Sequence, residues 1–338
     1  TSTTWPERVA TTLSAVASTN TVWATELALR LGILEFINER PAGATAAEVA
    51  TALDLDPQYT HVILRSVFAG EFLDRDGERY RLPEHMDTVL LDQDSGSYLG
   101  GAIRTTVALR ETFLDLREFA KTGEREWWSD MDPEWIDAVG NNCQTFYRRI
   151  IDAVIPQLPD VAAAFERGAR YLDLACGTCR GPAKLLAAYP QTSVTAVDAD
   201  AYSLGLAARE MHERGLASKF TFIESYLEKL DLEGGHDVAL INVSLHEARD
   251  QRAVVERAHA ALAEGGTFLV SEFPFPENED DCRTVAGQMM CGVQFFEAHI
   301  GCRLLPTSHF AGLLADVGFR DVGVIDVTPT HAVIHGVK

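Results

Sequence analysis

The spacing of apolar residues changes partway along the chain. Over 26–37 (Glu-Leu-Ala-Leu-Arg-Leu-Gly-Ile-Leu-Glu-Phe-Ile) they recur at helical spacing, and 46–55 repeats the pattern after Thr45, a residue suited to cap a helix N-terminus. A third helix is predicted over 59–72. It runs into 72–82, two short alternating runs around Asp76-Gly77, which is a hairpin signal. Three helices and a two-stranded ribbon make a winged helix. From Val161 onward the period shortens to runs at 170–174, 193–197, 220–223, 238–243, 267–271 and 322–327, with helices predicted between them. A final run over 330–337 closes the sheet. The fold class is therefore α/β: a mostly helical N-terminal part, then a doubly wound, Rossmann-like sheet ending in an antiparallel hairpin.

Charge narrows the partners. The 338 residues carry a formal charge of -21, and the third helix has little positive charge besides His61 and Arg65. No basic surface is on offer to phosphates, so a nucleic-acid partner is not expected. Residues 1–5 show no charged and apolar leader, and no apolar run approaches membrane-spanning length. With six cysteines and no leader, a reduced, cytoplasmic protein away from membranes is expected.

The richest segment is 171–184, Tyr-Leu-Asp-Leu-Ala-Cys-Gly-Thr-Cys-Arg-Gly-Pro-Ala-Lys. It reads as a buried strand, a Gly-rich turn at Gly177 and a helix start, and the next strand ends in an acid, Asp198. Small turn residues let a ligand approach the backbone, and an acid ending the next strand can accept both hydroxyls of a ribose. A dinucleotide site would cradle a pyrophosphate, which Asp173 before the turn would repel; an ammonium or sulfonium suits it better. Cys176 and Cys179 form a C-x-x-C that reads either as a redox or metal pair or as two small buried loop cysteines. A structural zinc would want a second pair at matching spacing, and there is none.

This segment resembles motif I of class I S-adenosylmethionine-dependent methyltransferases, D-x-G-x-G-x-G, with departures at Ala175, Cys179 and Gly181. The two-part layout resembles that of the small-molecule O-methyltransferases over essentially the whole chain. That resemblance implies a winged-helix dimerisation domain over 1–98, connecting helices and a substrate lid over 99–160, and a cofactor-binding catalytic domain over 161–338. It also implies a homodimer that exchanges N-terminal helices, with 5–23 in the interface. Trp127, Trp128, Trp135, Phe146 and Tyr147 would wall the substrate or pack as core. Asp173, Gly177 and Asp198 would hold S-adenosylmethionine with Asn242, Ser225 and Tyr226, the last suited to stack on adenine.

The family's L-H-D-W-x-D segment is matched by Leu245-His-Glu-Ala-Arg-Asp250. The resemblance makes His246 the general base, a role imidazole suits near neutral pH, with Glu247 beside it and Glu272 as the acid that orients groups around it. Two departures matter. Ala248 replaces the tryptophan, and 290–306 brings an imidazole, His299, to the helix that roofs the acceptor pocket in that family. Two imidazoles with a carboxylate nearby resemble a catalytic metal site. On this point the chain looks like the α-keto acid C-methyltransferases, which implies iron or zinc on His246 and His299. The implied reaction is methylation of the β-carbon of a small α-keto acid, phenylpyruvate-like or branched, through a metal-stabilised enolate, in secondary metabolism. The alternative is a metal-free O-methyltransferase of a phenolic or polyketide hydroxyl with His246 as base. His212, His259 and His309 are expected in solvent; His331 and His335 have no expected role.

Overall fold

The computed structural model describes residues 4–338 as two compact units, the first ending at Arg110 and the second starting at Glu111; residues 1–3 of the leader reading lie outside the described residues. The first unit opens with a helix over Trp5–Arg30, started by a capping box in which Glu7 Oε2 accepts from the Thr4 N–H at 2.6 Å. The helix expected over 26–37 is broken. Gly32 adopts a left-handed conformation, φ +70, which a residue with a side chain resists, and a new helix starts at Ile33–Asn38. Thr45 caps the helix Ala46–Ala52 as expected, accepting from Glu48 N at 3.2 Å while Glu48 accepts from Thr45 N at 2.8 Å. Pro57–Ala69 follows, capped by Asp56.

The ribbon carries one strand more than expected. β1 (Ala44–Thr45) pairs antiparallel with β3 (Arg79–Arg81), whose other neighbour is β2 (Asp74–Asp76), turned at Gly77 with φ +58. Arg79 anchors this sheet with a two-pronged contact to Glu48 at 2.8 and 3.0 Å. Ile33, Leu34, Leu64, Val67 and Tyr80 form the core. Along the first helix, Trp5, Val9, Leu13, Val16, Trp23 and Leu27 remain exposed at helical spacing.

The second unit holds a seven-stranded sheet in the order β6-β5-β4-β7-β8-β10-β9. Its strands are β4 (Arg170–Leu174), β5 (Ser193–Asp198), β6 (Phe220–Glu224), β7 (His236–Asn242), β8 (Leu262–Glu272), β9 (Arg320–Thr328) and β10 (His331–Val337). β4 to β8 are parallel, and β10 runs antiparallel between β8 and β9. Each sequence run beyond Val161 thus becomes a strand. β8 starts earlier than expected because Leu262 already pairs with His236 across a register shift.

Parallel strands covered on both faces must be apolar throughout. One face buries Tyr171, Val194, Leu240 and Leu269; the other buries Leu172, Ile241, Phe268 and Val270. A side chain of this kind contributes about 1.5–3 kcal/mol when fully buried. The crossovers bring the carboxyl ends of β4 to β8 to one edge, which is where the chain's unusual residues gather. No helix among the described residues is long and apolar enough to cross a membrane.

Candidate active site

A cavity of about 250 Å³ opens beyond that edge, lined by the turn after β4, the ends of β5 and β7, and the segment 127–147. At one end the turn after β4 wraps around Gly177, φ +51, where a Cβ would meet nothing within 4 Å; the backbone there faces open space. Cys179 also takes a left-handed φ of 58, and its N–H closes the turn on Cys176 O. Gly181, the second residue of the next helix (Arg180–Ala188), packs so close to Tyr147 that a Cβ would run into the ring. Asp198 ends β5 with its carboxylate held by the Gly177 N–H at 2.8 Å and the Asp200 N–H at 2.9 Å, and burial raises its pKa. Tyr226 and Asn242 also line the cavity; Asn242 Oδ1 accepts from Ser271 Oγ at 2.7 Å.

Two of the residues expected here are placed otherwise. Asp173 is fully buried beneath the turn, away from the cavity wall, and its carboxyl accepts from the hydroxyls of Tyr147, at 2.8 Å, and Tyr171. Burial pushes its pKa up to about 7, against the two tyrosine donors and with help from Asp198. A carboxyl with two phenol donors supports the turn from below. Ser225 does not line the cavity either, and its hydroxyl donates to the Tyr226 carbonyl at 3.0 Å.

At the other end, His246 lies just behind the wall, 3 % exposed. Its Nδ1 meets Glu272 Oε2 at 2.7 Å, and its backbone N–H donates to the same carboxylate at 3.2 Å. The opposite nitrogen, Nε2, is 3.2 Å from Glu297 Oε2 and 4.0 Å from Glu247 Oε1. Among the described residues both Nε2 and Glu297 Oε2 are buried outside the hydrogen-bond network, and the contact between them is an ion pair when the ring is protonated. Burial alone would push the His246 pKa down, but the charges of Glu272 and Glu297 outweigh it and hold it well above the ordinary imidazole value. Glu247, which lines the cavity and accepts from Trp128 Nε1 at 2.8 Å, is pushed up to about 8 by burial and by Glu297.

The expected pair of imidazole ligands does not come together. His299 points Nε2 at Glu126, 2.8 Å away, with its ring against Phe119. The donor atoms that do gather belong to His246, Glu247 and Glu297, all within 4.8 Å of one another. Glu297 sits on the same roof helix, Val285–His299, two positions before His299. Its nearness to His299 in the chain was the available signal. Two more unforeseen residues support the wall. His331 Nε2 meets Ser271 Oγ at 2.9 Å, and Ser271 in turn holds Asn242; burial, with Arg149 nearby, lowers the His331 pKa to about 3, so the ring is neutral. Cys143 lines the cavity as an inert thiol, pushed up to about 12 by burial. Of the expected aromatics, Trp127, Trp128 and Tyr147 line the cavity, while Trp135 and Phe146 are packed behind it.

Residues 172–266 match the methyltransferase domain family. The chain is an S-adenosylmethionine-dependent methyltransferase, and its helical N-terminal region followed by a Rossmann-like sheet is an architecture shared with solved O-methyltransferases. An O-methyltransferase family protein from Burkholderia thailandensis is 20% identical, with 100% of this chain and 99% of that one covered and a TM-score of 0.70. Mitomycin 7-O-methyltransferase MmcR is 19% identical over 98% of each chain, TM-score 0.68. Human N-acetylserotonin methyltransferase, solved with S-adenosylmethionine, is 18% identical over 100% of this chain and 99% of that one, TM-score 0.66. A search of curated protein sequences finds no significant match.

Proposed function

We propose that the protein methylates a hydroxyl of an aromatic acceptor, and that the acceptor's proton leaves at the centre built on His246. The observation that carries this reading is the imidazole itself. Glu272 fixes Nδ1 and leaves Nε2 buried, 3.2 Å from Glu297 Oε2, beside a cavity walled by Trp127 and Trp128. In its deprotonated form, with Nδ1–H donated to Glu272, the ring carries its lone pair on Nε2 and can take a proton there. S-adenosylmethionine supplies a methyl group made electrophilic by its sulfonium. The O–H proton passes to Nε2, and the methyl passes to the oxygen, leaving S-adenosylhomocysteine. The paired carboxylates, which raise the ring's pKa, stabilise the imidazolium formed. Resemblance to a mitomycin 7-O-methyltransferase supports oxygen as the accepting atom.

For the cofactor we assign Asp198 to the ribose hydroxyls, the Gly177 turn to the close backbone approach, and Tyr226 to the adenine face, with Asn242 at the reacting end. The acidic lining from Asp198, Asp200 and Glu228 suits a cationic cofactor. The exposed apolar stripe on the first helix fits a homodimer interface.

A second reading, metal-assisted C-methylation of an α-keto acid, is favoured by one observation, the gathering of His246, Glu247 and Glu297 donors. The two readings separate by product. Incubation with S-adenosylmethionine and either hydroxylated aromatic acids or phenylpyruvate, followed by mass spectrometry and NMR, should place the methyl on oxygen. A methyl on the β-carbon of phenylpyruvate, with none on any hydroxyl, installs the second reading.

A further inference from the structure

We infer that the aromatic acceptor carries an anionic group, a carboxylate in the simplest case, and that Arg249 holds it. The inference deepens the methyl-transfer reading and rests on it only for the acceptor's place beside His246. Among the described residues lining the cavity, the cations are Arg180 and Arg249. Arg180 is already engaged, meeting Asp137 at 2.7 Å and Glu210 at 3.3 Å. Arg249 is not. Its backbone N–H donates to Glu228 Oε1 at 3.1 Å, while its guanidinium, free of ion pairs and hydrogen bonds among the described residues, lies over the Trp127 ring, 5.0 Å from the centroid. A ring contact engages the charge of a guanidinium and leaves its N–H donors, a fork that matches carboxylate geometry, for another partner.

Position favours the acceptor as that partner. Arg249 stands three residues after His246, in the turn that follows β7. The segment facing this turn is tied to it twice, by Trp127 against Arg249 and by Trp128 Nε1, which donates to Glu247 Oε2 at 2.8 Å. The guanidinium also acts on the same corner as the imidazole. Burial, with Glu247 and Glu297, pushes the Cys302 thiol up to about 11 against the charges of His246 and Arg249, and that thiol donates to the Glu247 carbonyl at 3.4 Å. The chain as a whole opposes an anion, with a formal charge of -21 and with Asp200, Glu228 and Glu247 on the same cavity wall. A free cation set among those acids is therefore selective. It separates an aromatic acid from a neutral phenol of the same shape, through charge-assisted hydrogen bonds alone.

The experiment saturates the full chain with S-adenosylhomocysteine and measures acceptor binding by calorimetry, without turnover. The probes are para-hydroxybenzoate, para-hydroxyphenylacetate and para-hydroxyphenylpropanoate, each compared with its own methyl ester. At least one acid should bind about 10-fold or more tightly than its ester. Arg249→Gln should bring that ratio to parity, and Arg249→Lys, which keeps the charge and loses the fork, should restore part of it. S-adenosylhomocysteine affinity should be the same in the parent and both variants, which also checks the fold. No acid binding more tightly than its ester overturns the inference, as does a preference that survives Arg249→Gln. A glutamine variant that loses S-adenosylhomocysteine affinity and keeps the acid preference gives Arg249 to the cofactor instead, and overturns it too. The methyl-transfer reading is decided separately by the product: a methyl found on carbon removes that reading and leaves the measured ratio standing.

Discussion

The two ends of the cavity treat their polar groups differently. At the Gly177 end the acids are spoken for: Asp198 is held by two backbone N–H groups, and Asp173 by two tyrosine hydroxyls. At the His246 end, Nε2 and Glu297 Oε2 are buried outside the hydrogen-bond network, as is Nδ1 of His299 nearby. A satisfied network is rigid and specifies one shape, so it suits a ligand that is always the same. Unsatisfied buried groups store interaction for something that arrives later. The difference supports the proposal that the acceptor reacts at the His246 end.

Breaking the His246 end should have the largest effect. His246→Ala should lower turnover by about 100-fold or more, the typical worth of a positioned acid–base group, while S-adenosylhomocysteine affinity measured by calorimetry stays as it was. Equal losses in turnover and cofactor affinity would erase the distinction between the ends. The converse variant, Asp198→Ala, should weaken S-adenosylmethionine binding by about 1–3 kcal/mol through lost hydrogen bonds to a buried ribose, with turnover largely restored at saturating cofactor.

The smallest effect belongs beneath the turn. Asp173 has its pKa raised from an ordinary 3.8 to about 7 in the folded chain, so the folded state holds the proton more tightly than the unfolded state does. Its contribution to stability is complete below about 3.8 and is lost as the pH rises through about 7. Asp173→Asn should remove that component, making the melting temperature measured from pH 4 to pH 8 flatter than in the parent. A parent whose stability rose across the same range would contradict the buried placement of this carboxyl.

Much of the fold was legible in the chain, because its signals are local. Parallel strands buried on both faces require unbroken apolar runs, and β4 (Arg170–Leu174) and β5 (Ser193–Asp198) stand where those runs are. A tight turn after a strand favours small residues, and an acid ends the next strand, so the placing of Gly177 and Asp198 at the cavity was visible too. The break at Gly32 was harder to foresee, since a single glycine is compatible with a continuous helix until its φ is known. Asp173 looked like a ligand residue because its position along the strand was clear, while the tyrosines that cover it were not.

What only the tertiary structure decided is which side chains meet at His246. Glu272 is 26 residues away in sequence, and its pairing follows from β7 and β8 lying side by side, an arrangement the strand pattern already implied. Glu297 and His299 differ. They sit two positions apart on one helix, about 200° around its axis, so only one can face His246, and the sequence carries both. The rotation of that helix is set by what its whole surface packs against, including Phe296 against Trp128 and Trp135 and His299 against Phe119. Periodicity reports that a helix has faces. Only packing decides which face looks at the imidazole.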